Sequence, residues 1–428
     1  MPEFECFMYL CSMSKEVKLY TSPDAMEPLF PDDESGELES LAISLISKSG
    51  RLSGTMNPET RKAVSDFLRP MNSYYSNLIE GHDTHPIDIE KALLNDFSDD
   101  KIKRDLQKEA HAHIRLHEAI SLEMGSKDSK IIPSSMAYIK SIHKRFYNHL
   151  PEDFKVVKDK EGNKKIVVPG TFRESEVEVG RHIAPFSGKL NLFTNRFEEF
   201  YNPVSKSNKS KIRRIISIAA AHHRLAWIHP FLDGNGRVVR LYSDACFMYE
   251  SIDASGLWSI SRGLARKKNE YQTRLANADL SRYNDYDGRG NLSNKMLVEF
   301  CKFFLETAID QVDYMYSIIN IDKMLSHIES FTELMVLKNK LRPEARHILT
   351  DVFLKGKISK PDAMRITNTS DKTLKKTTDT LIEMGLLEPR KEGILMMYYV
   401  KYPVKYSPMI FPGMYPSDKE TDMIKNIG

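Results

Sequence analysis

The residues best equipped for chemistry lie together in His229-Pro230-Phe231-Leu232-Asp233-Gly234-Asn235-Gly236-Arg237-Val238-Val239-Arg240. An imidazole titrates near neutrality and can take a proton from an attacking hydroxyl, a role that falls to His229. Gly234 and Gly236 let the backbone curl so that successive N–H groups point at one ligand. Arg237 and Arg240 stand three apart at the start of a helical run, a spacing that brings both guanidinium forks to one anion. Asp233 would repel that anion. A carboxylate beside a polyphosphate most often holds Mg²⁺, which binds through one or two carboxylates plus phosphate oxygens. The chemistry these types suit is nucleotide phosphate binding with a built-in base.

Two helices must position this stretch. From Lys211 to Ile228 apolar residues recur at helical spacing (Ile212, Ile215, Ile216, Ala219, Ala220, Leu225, Ile228), and Pro230 disfavours the α region for His229, so that helix should end there. Val238, Val239, Leu241, Tyr242, Ala245 and Cys246 resume the period and carry it to about Ser251. The second helix opens on the loop, and its unpaired N–H groups and partial positive charge make an anion site. An EF-hand reading of Asp-Gly-Asn-Gly fails for want of alternating ligands and a closing Glu. Zinc at His222, His223 and His229 is disfavoured because adjacent histidines face different sides of a helix.

His-Pro-Phe-x-Asp-Gly-Asn-Gly-Arg-x-x-Arg, with every specified position filled, resembles the signature of the Fic family of AMP-transferases. The resemblance implies a mostly α fold: a Fic-type helical bundle with a small β-hairpin flap. It implies a protein adenylyltransferase moving AMP from ATP to a Ser, Thr or Tyr hydroxyl of a target protein, self-modification included. His229 would be the base, Asp233 the Mg²⁺ ligand, and Gly234, Asn235, Gly236, Arg237 and Arg240 the cradle for the ATP phosphates. Upstream, Ser76 and Glu80 lie four apart on one helix face, with Gly81 as its stop. Ser-x-x-x-Glu-Gly is similar to the inhibitory helix of many Fic proteins, assigned to residues 73–81. Glu80 would then sit within reach of Arg240, and Ser76 would act by holding the helix that presents it. Pro169–Glu174, followed by Val177-Glu178-Val179-Gly180 and Pro185, resembles the flap segment, which holds the target chain by strand addition. Asn269-Glu270-Tyr271 resembles part of the adenine pocket, with Gln272 where relatives often have a second tyrosine.

At 428 residues with 41% hydrophobic content, the chain has room for two or three domains with sizeable cores. A net charge of +3 implies no global polyanion-binding surface. Cys6, Cys11, Cys246 and Cys301 lack metal spacing and read as thiols of a reducing compartment. No stretch is long enough to span a membrane, and Glu3 and Glu5 stand where a signal peptide needs basic residues; the expectation is a cytoplasmic protein. Residues 1–36 read as extension and loop, with 1–12 as an upstream addition. Residues 37–130 read as a helical region, 131–320 as the catalytic core, and 321–342 as a helical linker. His111, His113 and His117 read as a solvated helix face, and 155–168 as a hairpin turning at Asp159–Gly162. Residues 343–428 resemble a winged helix-turn-helix followed by a Pro- and Tyr-rich tail. Lys372, Lys375 and Lys376 suit DNA phosphates, while Asp371, Asp379 and Glu383 dilute that charge, so DNA and protein docking weigh equally. The alternative function is a nucleotide-sensing winged-helix transcription regulator. Against it, a pure sensor has no use for His229. Removal of AMP, transfer of another phosphate-linked group, and a homodimer are all compatible with the same motif.

Overall fold

The computed structural model describes residues 20–126, 128–158, 162–180 and 182–427. Cys6, Cys11, the 1–12 extension and Asp159–Glu161 of the hairpin turn lie outside them. A loop with one 3₁₀ turn leads to α1 (Glu37–Ser53), whose first turn is capped by Asp33, a carboxylate accepting from the Leu38 amide at 2.8 Å. Next comes α2 (Pro58–Ile79), with Asn57 as N-cap accepting from the Thr60 amide at 2.9 Å. The two apolar runs expected around Pro58 and Ser73 are one 22-residue helix that continues through Pro70. The chain goes on through α3 (Pro86–Leu93), after which Asn95 turns at φ 60°, and α4 (Lys101–Gly125).

Helix α5 (Met136–Asn148) precedes two small antiparallel hairpins. In the first, β1 (Val156–Lys158) pairs with β2 (Lys164–Ile166). In the second, β3 (Glu178–Val179) pairs with β4 (His182–Ile183). Helices α6 (Leu190–Tyr201), α7 (Lys211–Ile228) and α8 (Asn235–Tyr249) follow, and α7 and α8 form the centre. Trp227, Phe231, Tyr242 and Phe247 are fully buried there, with α6 and α11 packed on α7 and α4 and α5 on α8. Then α9 (Ile260–Arg266), α10 (Lys268–Ala278) and α11 (Asn294–Ile318) close the bundle, α11 capped by Ser293 as its sequence predicts.

Helix α12 (Ile321–Leu337) leads to α13 (Ala345–Lys355), β5 (Lys357–Ser359), α14 (Lys360–Thr367), α15 (Asp371–Glu383), β6 (Leu387–Glu392) and β7 (Leu395–Val400). The three strands form an antiparallel sheet in the order β5-β7-β6. This unit grips the start of α2: Thr60 Oγ1 donates to the Phe353 carbonyl at 2.7 Å, and Asn57 Nδ2 to the Leu354 carbonyl at 2.9 Å. The tail after Pro403, unassigned from its sequence, carries α16 (Ser407–Ile410) and α17 (Ser417–Lys425) back along α2. Phe411 stacks on Phe67, Tyr415 meets Tyr74 edge-on, and Tyr75 Oη donates to the Met414 carbonyl at 2.8 Å. One expectation is corrected. His113 and His117 are buried under α8 rather than solvated, because this face of α4 packs on α8. Among the described residues no helix is long and apolar enough to cross a membrane.

Candidate active site

Helix α7 ends at His229, which adopts the left-handed conformation (φ 49°, ψ 60°) and donates its amide to the Leu225 carbonyl. That turn swings the chain into Phe231–Gly234, and α8 begins at Asn235 behind Gly234 (φ 77°). The loop is braced from within. The Phe231 amide donates to Asn235 Oδ1 at 2.9 Å, and Asn235 Nδ2 returns a bond to the Phe231 carbonyl at 2.8 Å. It is also braced from α5. His143 stacks on Phe231 at 4.0 Å between ring centres, accepts from the Gly170 amide at Nδ1 (2.8 Å) and meets the Asp233 carbonyl at Nε2 (3.2 Å). With Nδ1 accepting, Nε2 carries the proton, and burial holds the ring neutral by pushing its pKa down to about 4. Tyr147 Oη donates to Asp233 Oδ2 at 2.7 Å, fixing the carboxylate. A side chain at Gly234 would be strained: an added Cβ would stand 2.8 Å from the Tyr147 ring, which would have to shift.

The first intrahelical bond of α8 runs from the Val238 amide to the Gly234 carbonyl, so the amides of Asn235, Gly236 and Arg237 precede the ladder. A carboxylate stands beside this first turn. Glu80 Oε1 lies 2.5 Å from where a Cβ on Gly236 would stand, and 2.6 Å from Arg240 Nη2. Arg240 also donates from Nε to Ser76 Oγ and from Nη2 to the Ser76 carbonyl, both at 3.0 Å. Burial works to raise the Glu80 pKa, but Arg240 and Arg237 outweigh it and hold it at about 2. His229 is pushed down to about 3, first by burial and then by the Arg173 and His182 charges, so its imidazole is neutral near pH 7.

Several expectations shift in this light. Arg237 is ion-paired to the buried Glu109, which also meets His82 Nδ1 at 2.6 Å, while its charge also acts on Glu80 beside Arg240. Asn235 spends its side chain on the loop, leaving only its amide for a ligand. Ser76 touches Arg240 directly instead of acting through its helix, which ends at Ile79 with Glu80 as cap and Gly81 turning at φ 92°. Tyr271 is buried, its Oη bonded to His222 Nε2 at 2.7 Å, while Asn269, two residues earlier, is exposed. In the flap, Val177 faces the core and its carbonyl accepts from the Ala184 amide; Glu178 and Val179 form β3, and Gly180 makes the turn (φ 62°). Sequence reasoning missed Tyr147, His143 and Glu109. Their only signal was burial-type spacing on α4 and α5, which does not announce that they meet the loop. His222 and His223 are core histidines, bonded to Ser243 and Tyr271 and to the Leu275 carbonyl. Among the described residues no cluster of three or more His, Cys, Asp or Glu forms a metal cage. A lone carboxylate does suit Mg²⁺ carried in on phosphate oxygens.

The Fic/DOC family model matches residues 133–246, which span α5 to α8 and contain the loop. A protein of Drosophila melanogaster named "Protein adenylyltransferase Fic" is 42% identical over 79 residues, 18% of this chain and 15% of that protein. The Drosophila yakuba protein of the same name is 40% identical over 79 residues, again 15% of its length. The match thus spans under a sixth of these relatives. A Fic family protein from Desulfovibrio desulfuricans G20, 14% identical, superposes with a TM-score of 0.48 over 85% of this chain and 96% of its own. Residues 133–246 thus form a Fic/DOC domain, which holds the loop between α7 and α8.

Proposed function

We propose that this chain is a protein adenylyltransferase whose resting state is held in check by Glu80. The observation that carries the reading is the Glu80 carboxylate at the N-terminus of α8, beside Gly236 and 2.6 Å from Arg240. A helix N-terminus flanked by an arginine is a phosphate site, and here a carboxylate takes the place of a phosphate oxygen. With Glu80 withdrawn, Arg240 and the amides of Asn235, Gly236 and Arg237 receive the ATP polyphosphate. Asp233, oriented by Tyr147, would hold Mg²⁺, which when bound neutralises charge on the leaving pyrophosphate. His229, neutral at pH 7, takes the proton of the target hydroxyl as its oxygen bonds the α-phosphorus. The bond to the β-phosphate breaks, and pyrophosphate leaves. The relatives named adenylyltransferase support AMP as the transferred group. The β3–β4 hairpin is the element we assign to holding the target chain, and Asn269 and Tyr271 belong to the nucleoside side. Residues 343–402 are read as a winged helix, whose exposed Lys372, Lys375 and Lys376 alternate with Asp371, Asp379 and Glu383.

The test is direct. Glu80→Gly incubated with α-labelled ATP should label itself or added protein far more than wild type, and γ-labelled ATP should leave no label on protein. Adding His229→Ala should remove the label, on the order of 10²–10⁴ in rate, while ATP still binds. If γ-label stays on protein, the chain transfers the terminal phosphate and the reading fails.

A further inference from the structure

We propose that Arg173 is a positioning residue that registers the β3–β4 hairpin against His229. It would thereby bring a hydroxyl on a strand added to that hairpin to the imidazole. The inference rests on the function proposed above for its chemistry, but its geometry stands apart. The Arg173 side chain has 0% exposure. Its guanidinium donates to carbonyls of three separate segments: Nε to His229 at 2.8 Å, Nη1 to Ser175 at 2.9 Å and Nη2 to Pro185 at 2.6 Å. Its own amide donates to the Pro230 carbonyl at 2.9 Å.

Ser175 and Pro185 are the two legs of the hairpin, just outside the bond from Ala184 to Val177 that closes it. His229 and Pro230 are the two residues at the end of α7, where His229 holds a left-handed backbone that non-glycine residues rarely adopt. One side chain therefore grips both legs of the hairpin and the carbonyl of the residue proposed as base.

A buried guanidinium is most economically neutralised by a carboxylate. Glu176, which accepts from the Ser187 amide and hydroxyl, already pairs with the guanidinium at 3.6 Å, so the three carbonyl bonds come in addition to its neutralisation. Carbonyls set no net charge but do set direction, and only a planar fork reaches three at fixed angles. Lysine, with one nitrogen, cannot span them.

The experiment uses the full chain with Glu80→Gly as the active parent, and compares Arg173→Lys and Arg173→Met. Self-labelling from α-labelled ATP is measured against ATP concentration, together with nucleotide affinity and thermal melting. Displacing reacting groups by about 1 Å costs on the order of 100-fold in rate, so kcat should fall by about that factor while KM for ATP stays within about twofold. Unchanged kcat in both variants overturns the proposal, as does loss of ATP affinity and folding in step with kcat. A second readout needs no activity: the His229 imidazole cross-peak, assigned by its disappearance in His229→Ala, should move in Arg173→Lys while the His143 peak stays. A parent that transfers no label defeats the proposed function. Arg173 is then decided by that cross-peak alone, and an unmoved His229 peak rejects it.

Discussion

Arg240 spends three donor contacts on Ser76 and Glu80, and in the function proposed above each is a contact that a phosphate would otherwise receive. Ser76→Ala removes one of them, leaving the Glu80 pair. Transfer should therefore rise in Ser76→Ala, but by less than in Glu80→Gly; equal labelling of the two variants would show that the hydroxyl, not the carboxylate, holds the arginine. The Glu80 pKa near 2 means that the pair stays charged throughout the physiological range, so acidification to pH 5 should not activate the protein. Gly234 is constrained twice over, by φ 77° and by the Tyr147 ring. Gly234→Ala should lower stability by about 1–3 kcal/mol, read as a fall in melting temperature.

At the scale of elements, α2 is the part that connects the most. Its 22 residues span about 33 Å at the usual helical rise. One end is held by Asn57 and Thr60 on the carbonyls that close α13, and the other delivers Ser76 to Arg240. Between them lie Phe67, Tyr74 and Tyr75, covered by the C-terminal tail. Asn57 serves both as N-cap and as the link to Leu354. Asn57→Ala should cost about 1 kcal/mol in stability. It should also speed amide exchange in the first turn of α2 and at β5 together; protection unchanged at β5 would show that the two elements are not joined there.

Across the whole molecule, burial of neutral histidines sets the response to acid. His117 is pushed down to about 4 by burial and the Arg69 charge, with His143 at about 4 and His229 at about 3. Each folded pKa lies below the ordinary histidine value of 6.5, so the unfolded chain binds more protons between pH 6.5 and pH 4. Stability should be full above pH 6.5 and fall as pH drops through that window, beyond what carboxylates alone would give. Denaturant unfolding at pH 7 and pH 5 checks this: equal midpoints would mean that these rings are charged or exposed. Asp244 works in the opposite sense. Burial and Asp253 raise it to about 8, so it folds protonated, and its contribution is lost as pH climbs through 8.

Local chemistry was the part legible from the sequence. The break at Pro230 and the helical periods of α7 and α8 follow from short-range sterics and hydrogen bonding, which act within a few residues. The motif types also announced a phosphate-binding chemistry, because a base, a carboxylate, paired glycines and arginines have few other uses together. Which arginine faces the anion was decided elsewhere. Arg237 and Arg240 both stand in the first turns of α8, and the arrival of Glu109 from α4 and of Glu80 and Ser76 from α2 gives them different partners. The same holds for Asp233, oriented by Tyr147 from α5, and for His229, whose carbonyl is held by Arg173 from the hairpin stem. The histidines of α4 looked solvated because polar types usually are, yet the face they occupy is the one that packs on α8. A sequence states what each side chain can do; contacts between residues distant in the chain decide which of those capacities is used, since burial and pairing set both charge and reach.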